Sequence, residues 1–315
     1  MPTTPKNIEL YITVAKTLGL QTEMVDSGAR SPLLISKGDK FTLINTKSPG
    51  FYPTVGRWNA TFTSSKLLSQ TILDRFGYTT IKTIFLQPSL FKTQTALLKQ
   101  IKNEKLNFPV LVKPNYGCDG NNIDIADNAT QLKNISKRHF NNNAGFLVQP
   151  IINQHEYRIL VVNNTVQLVH SKENHHIIGD GISTIATLLN TIKQSEKDIV
   201  FINWQYKKLK LSPTSILAKG MIFECHLTRK PSCTYYKTKD FDPAMERWAI
   251  KLAKDISSPV VGIDVFVPDT LSDPTSYTII ELNSNPAIYY LPLRCNDIVT
   301  GPRIVEKVLC DYFEI

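Results

Sequence analysis

Two apolar segments near the end of this chain carry acidic residues where a strand interior rarely admits them. The first is GIDVF (262–266) and the second is IIELNSNP (279–286). Successive side chains of a strand point to opposite faces, so Glu281 and Asn283 project together. Asp264 joins them if the two runs lie side by side. Polar groups inside strands this apolar are costly unless they are paired or hold a metal. Two carboxylates and an amide oxygen are hard ligands, suited to a magnesium ion that also holds nucleotide phosphates. The alternative is that Glu281 and Asn283 lie on the solvated face of an edge strand.

The rest of the composition is compatible with an enzyme of moderate size. A chain of 315 residues allows one large domain or two to three small lobes. Hydrophobic residues make up 42% and charged residues 20%, ordinary values for a globular protein with a real core. The net charge of +9 favours anionic ligands such as nucleotides. No Arg-rich tract and no repeated aromatic–basic pattern occurs, which argues against a nucleic-acid partner. The five cysteines are Cys118, Cys225, Cys233, Cys295 and Cys310, with no CxxC pair. That argues against a disulfide framework or a zinc site and fits a reducing cytoplasm. MPTTPKNIEL (1–10) has no apolar core of a signal peptide. No apolar run reaches the ~18 residues of a membrane span, so no membrane partner is expected.

Periodicity and punctuation predict mixed helices and strands, an α+β or α/β chain with antiparallel hairpins. Helices are expected at 8–20, 64–76 (after a Ser cap and before Gly77), 93–104, 128–139, 183–196, 242–257 and 301–314. Strands are expected at 110–114, 123–125 and 145–151 and in the two closing runs. Hairpins are expected across 33–45 and, through Asn163 and Asn164, across 156–172. Residues 46–62 read as a loop, and 199–240 show no clear pattern.

Three further stretches carry chemistry. Lys113 ends a strand and is followed by a turn-rich loop, NYGCDGNN (115–122). Gly117 and Gly120 permit positive φ and close backbone approach, and Asn121 and Asn122 tolerate the left-handed region. Such a loop can cradle phosphate with its N–H groups, with Lys113 as a point charge, or it is simply a solvated turn. The spacing is not that of a Walker loop. In QPIINQHEYR (149–158), a strand edge beside a bend offers backbone groups to a purine. Glu156 could accept from ribose hydroxyls and Arg158 suits an anionic reaction centre, or the two form a surface pair. Gly179, Asp180 and Gly181 make a tight turn before a helix N-terminus, which attracts anions.

The order and spacing of these motifs resemble the ATP-grasp ligases over about residues 64–313. The resemblance is carried by EYRILVV (156–162), IGDGISTI (178–185), and GID (262–264) with IIELNSNP (279–286). It is greatest to the ATP-grasp parts of cyanophycin synthetases and of bifunctional glutamate–cysteine ligase/glutathione synthetases. It implies an α+β ATP-grasp fold: a small N-terminal lobe and linker helix (1–78), a central lobe with the glycine loop (79–150), and a C-terminal lobe with the metal site (151–315), with ATP held between the last two. It implies ATP and Mg2+ as cofactors, with Mn2+ possible, and a cytoplasmic enzyme, often a homodimer.

By the same resemblance, Lys66 and Lys113 contact phosphate, with Gly117 and Gly120 in the covering loop. Gln149 stands where the family usually has Glu at the adenine hinge, and residues 149–152, Ile151 among them, supply backbone contacts. Glu156 holds the ribose, and Arg158 and Arg229 lie near the reacting phosphoryl group. Lys172 stands where an arginine precedes the 179–181 turn. Asp264, Glu281 and Asn283 are the metal ligands. The implied reaction joins a carboxylate of an amino acid or short peptide to an amine through an acylphosphate. The chain departs from the family pattern at Ser65, where Asp is usual, at Gln70, where a second lysine is common, and at Asn122, a family glycine.

Overall fold

The computed structural model describes residues 6–25, 32–45, 52–87, 99, 101–117, 122–140, 145–152, 154–173, 175–192, 194, 196–226, 230–236, 241–268, 270–288, 291 and 297–315. The chain divides into two compact units. One comprises residues 1–80, 154–171 and 232–315, and the other 81–153 and 172–231.

The first unit is built on a five-stranded sheet. Strands β8 (His155–Val162), β9 (Thr165–Glu173), β12 (Lys230–Tyr236), β13 (Val260–Val267) and β14 (Thr278–Asn283) stand in the order β12-β9-β8-β13-β14. β8 and β9 form the expected hairpin. Asn163 and Asn164 turn it at φ 46° and 59°, the paired positive φ that a tight hairpin demands. One sheet face packs on α7 (Pro243–Asp255). Its cap is local chemistry: Asp242 Oδ1 accepts from the N–H of Ala244 at 2.8 Å and of Met245 at 3.3 Å, with Pro243 opening the helix. Met245, Ala249, Leu252 and Ala253, spaced three and four apart, bury against Ile159, Val161, Ile263 and Val265. Each fully buried large aliphatic there contributes about 1.5–3 kcal/mol.

The opposite sheet face is covered at one end. Leu160, Val162 and Val260 join a second core with α1 (Lys6–Thr17), α8 (Thr300–Phe313) and the inner side of a small antiparallel sheet. That sheet is β1 (Gln21–Met24), β2 (Leu33–Lys37) and β3 (Lys40–Ile44). Helix α3 (Lys66–Arg75) starts where expected, with the Ser65 hydroxyl accepting from Leu68 N–H. The loop expected over 46–62 needs correction, because residues 57–64 form helix α2 (Arg57–Ser64). This helix has no side-chain cap and buries only Asn59 and Phe62, so it leaves little trace in sequence.

The second unit holds the antiparallel sheet β4-β7-β5-β6: β4 (Ile84–Leu86), β5 (Val110–Pro114), β6 (Asp124–Ala126) and β7 (Phe146–Pro150). Helix α4 (Ala129–Phe140) contributes Leu132 and Ile135 to the core on one face of it. A ribbon of β10 (His176–Ile178) and β11 (Ile222–Glu224) completes the unit, with α5 (Ile185–Leu189) and α6 (Glu196–Leu209). The helix expected over 183–196 is therefore confined to 185–189. It is opened by Thr184 and closed by Gln194 Nε2 donating to the Leu189 carbonyl at 3.0 Å. Residues 196–209, most of which fall in the stretch from 199 that shows no clear sequence pattern, form a 14-residue helix. Of the expected helix 93–104, residues 99 and 101–104 are described, and all of these but Glu104 are helical.

Candidate functional site

Register brings the three expected metal ligands together in the first unit. Asp264 on β13 stands opposite Arg158 on β8 and opposite Glu281 on β14, and Gly262 stands opposite Asn283. Directly opposed residues of antiparallel strands share a face, so Arg158, Asp264, Glu281 and Asn283 point to one side. The pairing shifts between Asp264 and Val265, because Val265 opposes Ile279. Ile280 is thus the extra residue of a bulge, which reverses the alternation. Ile279 and Leu282, three apart, both enter the core, while Glu281 and Asn283 turn to the other face.

Asp264 is completely buried. Its two oxygens accept from Arg158 Nε at 2.6 Å and Nη2 at 2.7 Å, a fork matched to a carboxylate. A cation also stands by the second carboxylate, with Lys66 Nζ 4.0 Å from Glu281 Oε2. Asn283 Nδ2 lies 3.5 Å from Glu281 Oε1. Gly262 makes room for this cluster: a Cβ there would stand 3.1 Å from Pro286 Cβ and 3.7 Å from Arg158 Cδ. Glu156, opposite Phe266 and two residues before Arg158, lies half-buried on the same face. Among the described residues no three His, Cys, Asp or Glu side chains gather as a metal cluster. The donor set here is two carboxylates and an amide, which fits a hard divalent cation such as magnesium or manganese.

The segment after β14 is pinned by buried polar contacts. Thr63 Oγ1 donates to Ser284 Oγ at 2.8 Å, and Tyr52 Oη donates to the Pro286 carbonyl at 2.8 Å. Gln70, where the family has a second lysine, is buried on α3, and its Nε2 has no hydrogen-bond partner among the described residues.

In the second unit, Lys113 and Gln149 share a sheet face. Gln149 stands opposite Leu111, two residues from Lys113, while Val110, Val112, Phe146 and Val148 fill the core on the other face. Lys113 is buried. Gln149 is fully buried, and its Nε2 donates to Thr83 Oγ1 at 2.7 Å. Its Oε1 has no partner among the described residues. Ile151 follows the strand as a half-buried residue. Gly117 adopts φ 121° and Asn122 φ 56°, as their places in the loop require. Lys172 lies near the end of β9 and is half-buried. Gly120, Cys118 and Arg229 lie outside the described residues.

The 179–181 turn is no open anion site. The carboxylate of Asp180 takes the Ile182 and Ser183 N–H groups at 2.8 and 2.7 Å and the Ser183 hydroxyl at 2.6 Å. Those bonds, the hydroxyl's first, lower its pKa from 3.8 to about 2. A polar group that sequence reading missed lies in the same unit: Asp198 of α6, almost fully buried, sits 3.2 Å from His226 Nδ1. Its signal was faint, an acid at the start of a helix whose pattern is otherwise irregular.

With this geometry in hand, comparison with known proteins gives a consistent answer. Residues 63–177 match the model of the RimK-like ATP-grasp domain family. The glutathione biosynthesis bifunctional protein GshAB of Streptococcus agalactiae is 25% identical over 243 residues, 67% of this chain and 32% of that protein. That of Listeria monocytogenes is 24% identical over 204 residues, 57% of this chain and 26% of that protein. Among solved structures, a bifunctional glutathione synthetase from Pasteurella multocida superposes with a TM-score of 0.57 at 18% identity, covering 98% of this chain and 44% of that one. A D-alanine–D-alanine ligase from Bacillus anthracis superposes at 0.52 and 14% identity, covering 82% and 72%. Residues 63–177 are similar to the RimK-like ATP-grasp domain family, and the fold is α+β ATP-grasp. The chain is similar to bifunctional glutathione synthetases, and it spans about a third of the length of the curated relatives it matches.

Proposed function

We propose that the protein is an ATP-dependent carboxylate–amine ligase that forms an amide or peptide bond on amino-acid or short-peptide substrates. The observation that carries this reading is the face shared by Asp264, Glu281 and Asn283 with Arg158 and Lys66. Two carboxylates and an amide fit the metal, and two cations fit the phosphates. A bound magnesium ion would offset charge on the phosphate oxygens during transfer.

In this reaction a substrate carboxylate oxygen attacks the γ-phosphorus, and the bond to the ADP oxygen breaks. A neutral amine nitrogen then attacks the acylphosphate carbon, phosphate leaves, and the nitrogen sheds a proton as the amide forms. The chain's own residues position and neutralise rather than bond covalently. Arg158 and Lys66 in the first unit hold phosphate oxygens; Lys113 and Arg229 belong to the same role by resemblance. Glu156 accepts from ribose hydroxyls, and Lys172 balances charge near the acyl phosphate. Gln149 and the backbone at Ile151 read the purine. Gly117 and Gly120 let the loop approach phosphate closely and exclude water from a species that water would hydrolyse.

Glycine addition to a γ-glutamyl dipeptide is the specific variant favoured by the names of the relatives. A non-catalytic nucleotide-binding protein is disfavoured by the intact donor set. Among the described residues no helix is long and apolar enough to cross a membrane; the working placement is the cytoplasm, with small-molecule substrates and a homodimer as the assembly to look for. The test is release of ADP or phosphate with ATP and magnesium against pools of amino acids and dipeptides, γ-glutamylcysteine with glycine among them. Release dependent on one acid–amine pair establishes the ligase. Tight ATP binding with no release from any pool sinks it.

A further inference from the structure

Each carboxylate of the donor set has a side-chain cation against it. We propose that Arg158 and Lys66 are exchangeable counter-ions, neutralising Asp264 and Glu281 in the nucleotide-free protein and passing to the phosphates when metal and nucleotide arrive together. The inference rests on the ligase reading and adds to it an order of binding.

Arg158 makes the case. Asp264 has no exposed surface, and both its oxygens are engaged by one guanidinium at 2.6 and 2.7 Å. A buried ionised carboxylate is not left without counter-charge, because desolvation costs several kcal/mol per ion. A divalent cation reaching Asp264 must therefore displace Arg158. With metal alone, the displaced guanidinium stays beside a doubly charged ion and has given up the Asp264 carboxylate. A phosphate supplies the replacement, since the guanidinium fork matches phosphate as well as it matches carboxylate. Lys66 poses the same exchange at Glu281 across 4.0 Å.

The room for exchange is also present. The Arg158 side chain is 16% exposed while that of Asp264 is not exposed at all, so the guanidinium has a way out toward solvent. Gly262 on the adjoining strand has no side chain to block it. Arg158 with Asp264 and Lys66 with Glu281 are two matched pairs, and neither metal nor triphosphate alone re-pairs both. The two together re-pair every ion.

The test is manganese binding to the full-length protein, followed by electron paramagnetic resonance, without nucleotide and with a non-hydrolysable ATP analogue. In the native protein the analogue should tighten manganese binding by about 5- to 150-fold, the usual range of coupling between two ligands. Arg158→Gln should bind manganese more tightly than the native protein when no nucleotide is present, and the coupling should shrink. Asp264→Asn should lose the site in both states. Lys66→Gln, which leaves the buried pair intact, should show a smaller gain of the same sign and covers the case in which Arg158→Gln fails to fold. Native protein that binds manganese equally well with and without the analogue overturns the inference, as does a folded Arg158→Gln with no gain. The ligase reading is tested separately in the same samples by fluorescence of a labelled analogue. If that analogue does not bind at all, the reading falls and takes the inference with it.

Discussion

Tyr52 and Pro286 are 234 positions apart, yet the Tyr52 hydroxyl donates to the Pro286 carbonyl at 2.8 Å and both are buried. The contact fixes the chain immediately beyond Asn283, so it braces the candidate metal strand from outside. Tyr52→Phe removes the donor and leaves a buried carbonyl unanswered, which costs about 1–3 kcal/mol. Urea denaturation should show this loss, with nucleotide-dependent manganese binding weakened as the 283–286 segment loosens. Unchanged stability and unchanged binding would mean that the brace is irrelevant.

Glu281→Ala should abolish magnesium-dependent ATP turnover while leaving the fold intact. Glu281 is half-buried at the sheet edge and contributes nothing to the cores, so the loss should appear in kcat rather than in the melting temperature. A fall of at least ~100-fold is expected when a group that stabilises transition-state charge is removed. Turnover at the native rate would displace the metal site from β14.

Asp180 makes a pH-dependent contribution whose sign follows from its bonds. Its folded-state pKa is depressed to about 2 from 3.8. The contribution is therefore present above pH 3.8 and disappears as the pH falls through 2. Thermal melts of native protein and Asp180→Ala should differ at pH 5 and converge toward pH 2. A constant gap across that range would show that the carboxylate charge is not what holds the turn. Gly179 next to it is a steric requirement. A Cβ there would meet the Ala218 carbonyl at 2.3 Å and Leu217 Cβ at 2.6 Å, so Gly179→Ala should cost about 1–3 kcal/mol or more by overpacking.

What sequence makes legible here is local chemistry. Ser65 and Asn163 with Asn164 announce a cap and a turn through their own side chains, and each stands where expected; Asp242 with Pro243 caps its helix by the same local chemistry. Helix α6 shows why other parts were silent. Its buried stripe is Asp198, Phe201, Ile202 and Gln205, a regular helical spacing with polar residues at both ends. Those residues are tolerated because His226 pairs with Asp198 and Glu224 accepts from Gln205. Ile199 and Val200 meanwhile lie exposed, so the apolar pattern points to no face. In the candidate site, the i, i+2 rule was enough to put Glu281 and Asn283 together. It could not reveal the bulge that turns both away from Ile279, nor the pairing of Arg158 with Asp264 across 106 positions. Register between distant strands is a property of the assembled sheet.

Gln149 gives the sharpest test of the purine side. Its Nε2 is satisfied by Thr83, while Oε1 is a buried acceptor without a partner among the described residues. An unanswered acceptor of this kind destabilises the fold by about 1–3 kcal/mol and is answered by any donor that arrives. The exocyclic amine of adenine is such a donor, whereas guanine presents a carbonyl oxygen at the corresponding position. Gln149→Met keeps the length of the side chain and removes both polar atoms. The lost Thr83 bond and the relieved Oε1 oppose each other, so stability should change by less than about 1 kcal/mol. ATP affinity should fall about tenfold, the equivalent of 1.4 kcal/mol, and the preference for ATP over GTP should narrow with it. Competition of ATP and GTP against a fluorescent nucleotide reads both quantities. A variant as stable as the native protein that still prefers ATP to the same degree would take Gln149 out of purine recognition.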